Sequence, residues 1–326
     1  MKEFLLSDES VFESRVSRRS FLKYLVSGMA ALALSQKISR FAFAKSAASE
    51  GRKKRNIKGD HDIIEASGDD PYQMTVEAVK AMGGMERFVK KGSTVVVKPN
   101  IAWDRNEKQA ATTNPWVVAA LIELCYQAGA GRVNVFDNTC NTASRCYQNS
   151  GIQKAAEAKG AKVYFVDDWN FVKAKFAYES PMDGWPVFRD AIECDTFINV
   201  PILKHHGLTG LTLSMKNLMG VCGGVRGMMH QDIGRKLVDI TDFISPDLTV
   251  IDSYRMLNRH GPQGGNLDDV LEMKKLIVAT DPTLADIYAC QLAGRDPRSV
   301  PNIAEAIRRG FGKSDVASAD IKKIKV

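Results

Sequence analysis

Thr94-Val95-Val96-Val97-Lys98-Pro99-Asn100 is a short β-branched run that stops at a lysine, a proline and an asparagine. β-Branched residues suit a pleated, packed surface, and a run without polar alternation reads as a strand covered on both faces. Downstream, Pro115 opens a helical pattern that reaches about Ala128, with Trp116, Ala119, Ala120, Ile122, Leu124 and Cys125 available for burial. Gly129-Ala130-Gly131 stops it. Val133-Asn134-Val135-Phe136 is the next strand and ends at Asp137-Asn138. A helix from about Ser150 to Lys159 stops at Gly160, and Val163-Tyr164-Phe165-Val166 follows as a strand. The alternation continues through Thr196–Val200, Leu248–Asp252 and Leu276–Ala279. This order predicts an α/β fold with a largely parallel, Rossmann-like sheet and helices on both faces. One such domain over residues 59–326 fits the length.

Several of these strands end in polar residues: Lys98 and Asn100, Asp137 and Asn138, Lys204, and Asp252. In open α/β sheets, ligands bind outside the carboxyl ends of the strands, so these residues are expected along one rim. Residues 199–230 hold the densest chemistry, with three of the chain's five histidines, two lysines, an arginine and repeated glycines. His206, Lys216 and His230, with Asp252, are the predicted catalytic groups. Lys98, Asn100, Lys204, Thr212, Asn217, Gly223 and Gly224 are the predicted ligand-binding groups, the glycines letting backbone N–H groups approach an anion. Thr209, Thr212 and Lys216 are spaced to share one helical face. His205 and His206 are adjacent, so in a strand only one of them points into a site.

No P-loop, G-x-S-x-G elbow, H-E-x-x-H helix or C-x-x-C pair occurs. Of the six cysteines, Cys125, Cys194 and Cys290 lie in apolar segments and read as core. Cys140, Cys146 and Cys222 lie in polar or Gly-rich loops. They are either a metal or cluster site or, for the first two, a disulfide.

Read as an ordered set, the chain resembles the DUF362 family. The resemblance is carried by Val97-Lys98-Pro99-Asn100, Thr113-Asn114-Pro115, Gly129-x-Gly131-x-Val133, Asn199-Val-Pro-x-Leu-Lys204-x-His206, Thr212-x-x-x-Lys216-Asn217-x-x-Gly220 and Leu248-Thr-Val-Ile-Asp252, with Asp281 and Asp286. It implies a metal- or iron–sulfur-associated redox protein with a redox partner, because many family members carry an appended ferredoxin module. This chain lacks that module, so an iron–sulfur cluster or transition metal would rest on Cys140, Cys146 and Cys222. The layout is also similar to that of nickel-dependent lactate racemases, an analogy of fold and not of function. Two metal-free alternatives use the same basic residues: an isomerase or racemase acting on a small carboxylate or phosphate, and a non-catalytic binder of a small anion.

Near the start, Ser17-Arg18-Arg19-Ser20-Phe21-Leu22-Lys23 looks like a twin-arginine export signal. An Ala-rich stretch, Tyr24 to Leu34, and a small-x-small site at Ala42-Phe43-Ala44 follow in the right order. The reading is a signal peptide over 1–44, recognition by the twin-arginine export machinery, a periplasmic mature protein and no stable membrane span after cleavage. Residues 45–58, with Arg52-Lys53-Lys54-Arg55, read as a solvated basic linker. The chain carries +7 in all, part of it in the signal, and no basic face with interleaved aromatics points to nucleic acid. N-terminal sequencing of the exported protein is expected to begin at Lys45; an intact start at Met1 would remove the signal reading.

Overall fold

A computed structural model describes residues 48–326; the twin-arginine motif and its cleavage site lie outside the described residues. β1 (Ile63–Ser67) leads into α1 (Pro71–Ala81). β2 (Thr94–Pro99), α2 (Pro115–Gln127) and β3 (Arg132–Val135) follow, then α3 (Ala143–Asn149), α4 (Ile152–Ala158) and β4 (Lys162–Val163). A small antiparallel pair, β5 (Phe171–Lys173) and β6 (Pro186–Phe188), and the short α5 (Arg189–Glu193) come next. Then come β7 (Thr196–Val200), β8 (Ile202–His206), β9 (Gly210–Thr212) and a single helical turn, α6 (Ser214–Asn217). α7 (Ile233–Ile244), β10 (Leu248–Leu257), β11 (Val270–Ala279), α8 (Pro282–Leu292), α9 (Pro301–Arg309) and β12 (Ile321–Lys325) complete the described residues.

The main sheet runs β12-β1-β11-β10-β7-β2-β3-β4, with β8 on β10 and β9 on β8. The block β10-β7-β2-β3-β4 is parallel, as is β8 on β10. The fold is therefore the expected α/β class. Its other half departs from pure parallel winding, because β1 and β10 both pair antiparallel with β11. Val95 and Val97 of β2 face one core with α1 and α2, while Val96 faces the other with α7, α8 and α9. β7 splits the same way, with Phe197 on one side and Ile198 and Val200 on the other. Period-two alternation between two apolar layers is what an uninterrupted apolar strand means.

Three helices start with the same device. Asp70-Pro71, Asn114-Pro115 and Asp281-Pro282 place a side-chain acceptor at the N-cap and proline in the first turn. The cap oxygen takes an otherwise orphaned N–H, and proline lacks the donor that would be orphaned. Two sequence boundaries shift. The helix expected from Ser150 is α4, starting after Gly151 with φ +75°, and a further helix, α3, precedes it. The strand expected over Val163–Val166 pairs only through Lys162–Val163.

The basic run is not a solvated tether. The Arg52 guanidinium is buried against the Asp247 carboxylate and donates to the Ser245 carbonyl at 2.7 Å and the Asp195 carbonyl at 2.9 Å. Arg55 donates to Thr196 Oγ1 and to the Phe88 carbonyl, both at 2.8 Å. Two arginines thus strap residues 52–55 across the amino-terminal ends of β7 and β10. Removing one partner of a buried ion pair leaves an uncompensated charge, at a cost of about 3–5 kcal/mol. Arg52→Met is therefore expected to lower unfolding stability by about that amount. Urea denaturation at unchanged m-value checks it, and a loss below about 1 kcal/mol would return the segment to a tether.

Candidate functional site

The cavity opens where the expected rim lies, at the carboxyl ends of β2 and β3, and has a volume of about 340 Å³. Its base is a buried polar network. Lys98, at the end of β2, is fully buried with its ammonium 2.7 Å from Asp137 Oδ1. The same ammonium donates to Asn217 Oδ1 at 3.1 Å and to the Pro99 carbonyl at 2.9 Å. Asp137 Oδ2 accepts the Ile101 N–H at 2.6 Å. Asn217 also accepts from Asn100 Nδ2 at 3.1 Å and donates to Asn199 Oδ1 at 2.9 Å. Three buried asparagines on three elements thereby satisfy one another, as buried polar groups must. Gly220 lies directly on this base: a Cβ there would sit 1.8 Å from Asp137 Oδ1 and 2.5 Å from Lys98 Nζ.

One wall is the β8–β9 hairpin, in which Lys204 stands opposite Thr212. The other is α6 and the segment after it. α6 is too short to hold itself, and the buried Asp286 carboxylate fixes its start by accepting the Ser214 N–H at 2.7 Å and the Met215 N–H at 3.1 Å. Burial pushes that carboxyl up to about 7. Arg226 closes the rim by donating to the Asn138 carbonyl at 2.6 Å and to the Thr139 carbonyl.

The three lysines differ in their partners. Lys98 is paired with Asp137, yet burial still pulls its amine below the ordinary value. Lys204 has two neutral acceptors, Asn100 Oδ1 at 3.2 Å and the Ala111 carbonyl, and burial lowers it to about 7. Lys216 has only the Met219 thioether at 3.2 Å, and burial lowers it to about 8. Neither Lys204 nor Lys216 has a carboxylate partner among the described residues. Among the described residues Asp137 is the only acidic side chain in the lining, and Lys98 already holds it. Among the described residues the cavity is thus a cationic recess with no carboxylate free to pair with Lys204 or Lys216.

The two imidazoles above it are set in opposite states. His206 Nδ1 accepts the N–H groups of Leu208 at 3.1 Å and Thr209 at 3.4 Å, so its proton sits on Nε2. Burial, with the Lys216 charge beside it, lowers His206 to about 3, so the ring stays neutral. His230 Nδ1 faces the Gly227 carbonyl at 3.2 Å, which only accepts, so its lone pair sits on Nε2. That Nε2 is buried and has no hydrogen-bond partner among the described residues. The rings stack with centroids 5.8 Å apart. One donor and one acceptor nitrogen therefore serve the same cavity.

The structure brings together Asn100, Lys204, His206, Thr212, Lys216, Asn217, His230 and Cys140 around the cavity. Lys98 lies one layer below, in the base. As expected of adjacent strand residues, His205 turns away, its Nδ1 accepting the Gly261 N–H at 3.1 Å. Asp252 is not at the cavity. It is buried, ties β10 to the start of α2 through the Asn114 N–H at 2.8 Å, and burial raises it to about 6. Gly223 and Gly224 are not an anion cradle either. They form a turn on β5 and β6, where the Trp185 indole donates to the Gly223 carbonyl at 3.1 Å. Thr209, Thr212 and Lys216 do not share a helix, since turn, β9 and α6 divide them.

Cys125, Cys194 and Cys290 are core residues, as read. The three loop cysteines do not converge. Cys140 is exposed at the rim, whereas Cys146 and Cys222 are buried in the cores on opposite faces of the sheet. All three are free thiols. Burial pushes the Cys146 thiol up and Cys222 up to about 12, against the thiolate a metal needs. No group of three His, Cys, Asp or Glu side chains among the described residues is placed to hold a metal ion. This ligand set does not fit an iron–sulfur cluster. No described helix is long and apolar enough to cross a membrane.

Sequence reasoning put Asp137 on the rim without giving it a role and left Arg226 unassigned. The strand-end position of Asp137 was the available signal; Arg226 had none beyond its place in the Gly-rich segment. Trp103, Leu208, Met219 and Pro262 add apolar lining from four separate stretches.

Fold and cavity define an α/β protein with a cationic recess at the carboxyl ends of its parallel strands. The chain belongs to the DUF362 family, described as a domain of unknown function, whose profile matches residues 95–291. It is similar to a thylakoid-associated protein of Synechocystis sp., 28% identical over 243 residues covering 72% of this chain and 73% of that one. Among solved structures it is similar to the lactate racemase apoprotein of Thermoanaerobacterium thermosaccharolyticum, with TM-score 0.45, 9% identity and coverage of 74% of this chain and 58% of that one. A Thermotoga maritima protein matches with TM-score 0.38, 13% identity and coverage of 69% and 60%.

A methyl group at position 220 has nowhere to go, because the carboxylate it meets is held through its other oxygen by the Ile101 amide and the ammonium by Asn217. Gly220→Ala is therefore expected to cost about 1–3 kcal/mol, as overpacking does, and to displace the Lys98–Asp137 pair. Thermal melting checks it, and an unchanged midpoint would show that the base has slack.

Proposed function

We propose that this protein binds a small carboxylate or phosphate anion in the cavity between β2, β3 and the β8–β9 hairpin, and moves a proton on it. One observation carries the reading: Lys204, Lys216 and Arg226 converge on a recess whose single carboxylate is already taken by Lys98. Buried cations without partners are costly, and an anion that supplies the missing charge is favoured there over water. Lys204 and Lys216 hold the anion, and Arg226 shapes the rim.

The proton chemistry belongs to the two imidazoles. His206 Nε2–H is a neutral donor to an oxygen that gains charge, and His230 Nε2 is a free acceptor. Acid–base work of this kind suits an isomerase or a related proton-transfer enzyme. A purely binding role would need the lysines but not the opposed tautomers. The redox reading has no convergent ligand set to support it, so the proposal takes the metal-free branch. Together with the twin-arginine motif at Arg18-Arg19, we place this activity in the periplasm.

The pH dependence follows from the lysines. Anion binding requires ammonium, and the free-state values near 7 and 8 mean that protons are lost just above neutrality. Binding of inorganic phosphate or propionate, measured by calorimetry at fixed ionic strength, is expected to weaken as pH rises from about 7 to about 9. The loss should approach about tenfold per unit for each lysine titrated. Between about 7 and 10.5 the unfolded chain holds more lysine protons than the folded one, so stability itself should rise across that window. Lys204→Met is expected to abolish binding while raising the melting temperature. Affinity that is flat in pH, or unchanged in the variant, would sink the reading.

A further inference from the structure

We propose that Lys216 is an amine nucleophile that condenses with the carbonyl group of a keto- or aldehyde-bearing anion held in this cavity. The inference rests on the anion-site reading and adds a substrate class to it.

Geometry selects this lysine from three. Lys98 is held by Asp137 in the base, outside the cavity lining. Lys204 spends its protons on the Asn100 side chain and the Ala111 carbonyl. Lys216 projects from α6 into the cavity with a thioether as its only partner among the described residues, and a thioether is a weak acceptor. The residue is nonetheless more than nine-tenths buried. A buried amine beside other cations and short of acceptors is the setting that frees its lone pair for attack on carbonyl carbon. Its value near 8, set by burial, opposed by the nearby Cys140 and lowered further by Arg226, leaves a share of free amine at neutral pH.

The neighbouring imidazoles supply what the condensation needs. The amine lone pair forms a bond to the carbonyl carbon while the C=O π pair moves to oxygen. His206, a cavity-lining residue with its proton on Nε2, hydrogen-bonds that oxygen in this proposal, the role a neutral imidazole performs for a developing oxyanion. The proton released from nitrogen goes to His230 Nε2, a buried acceptor with no other partner among the described residues. His230 passes that proton to the oxyanion, giving the carbinolamine, and carries the second N–H proton the same way as the C–O bond breaks and the nitrogen lone pair closes the C=N bond. The products are an imine and one water, with no change in oxidation state. Lys204 remains to pair with the carboxylate of the same molecule.

The test uses the full chain with pyruvate or glyoxylate, trapped with sodium borohydride and mapped by peptide mass spectrometry. The expected result is a reduced adduct on Lys216, suppressed by excess propionate and absent from Lys216→Arg. Circular dichroism establishes that the variant is folded; if it is not, the site of the adduct in the parent protein decides alone. Pyruvate that shifts the melting temperature but leaves no adduct on Lys216, or labels Lys204 instead, overturns this inference and leaves the anion site standing. Failure of phosphate, propionate and pyruvate alike to bind overturns the anion site and this inference with it.

Discussion

Everything at the functional end of the molecule is built on the buried pair between Lys98 and Asp137. The two residues close adjacent parallel strands, and the register that sets Val97 against Val135 brings them together. Burying both charges is expensive, and such a pair persists only when its remaining donors and acceptors are met. Here they are met by the Pro99 carbonyl, the Ile101 amide and Asn217. Because Asn217 belongs to α6, the same network that neutralises Lys98 also fixes the helix that carries Lys216. Gly220 is required because the network comes up to the backbone of the next turn, leaving no volume for a side chain.

Above that base the balance of charge changes over one layer. Lys98 has its counter-ion, Lys204 has only neutral oxygens, and Lys216 has only sulfur. The fold keeps amines where burial disfavours their charge, and lowers their proton affinity in doing so. Stability is given up at these positions, as is common where a site is held ready for a ligand. The Asp286 carboxylate shows the complementary case: it is buried to hold two amides of α6, not to meet a substrate.

Much of the architecture was legible in the chain. β-Branched runs without polar alternation announced strands covered on both faces, and Asn114-Pro115 announced a helix start, since both signals act within a few residues. The rim was legible too, because strand ends and parallel winding together specify where ligand-facing residues collect. Lys98, Asn100 and Lys204 were found that way, and His206 and Lys216 from the dense segment 199–230. The antiparallel half was not legible, because a strand in either direction carries the same apolar pattern. Arg52 was misread for a related reason: a basic run looks solvated until Asp247, far along the chain, arrives to pair with it.

The sequence by itself determined the alternation of strand and helix, the α/β class and the segment in which the chemistry would concentrate. These depend on local periodicity, capping and turn chemistry, which are written into neighbouring residues. The tertiary structure alone decided which of those polar residues act together. It set Asp252 aside as a tie between β10 and α2, placed Cys146 and Cys222 in opposite cores, and left Lys216 with a thioether as its partner. The reason is that a side chain's charge and proton affinity are set by its burial and its neighbours. Those neighbours come from strands and turns far apart along the chain.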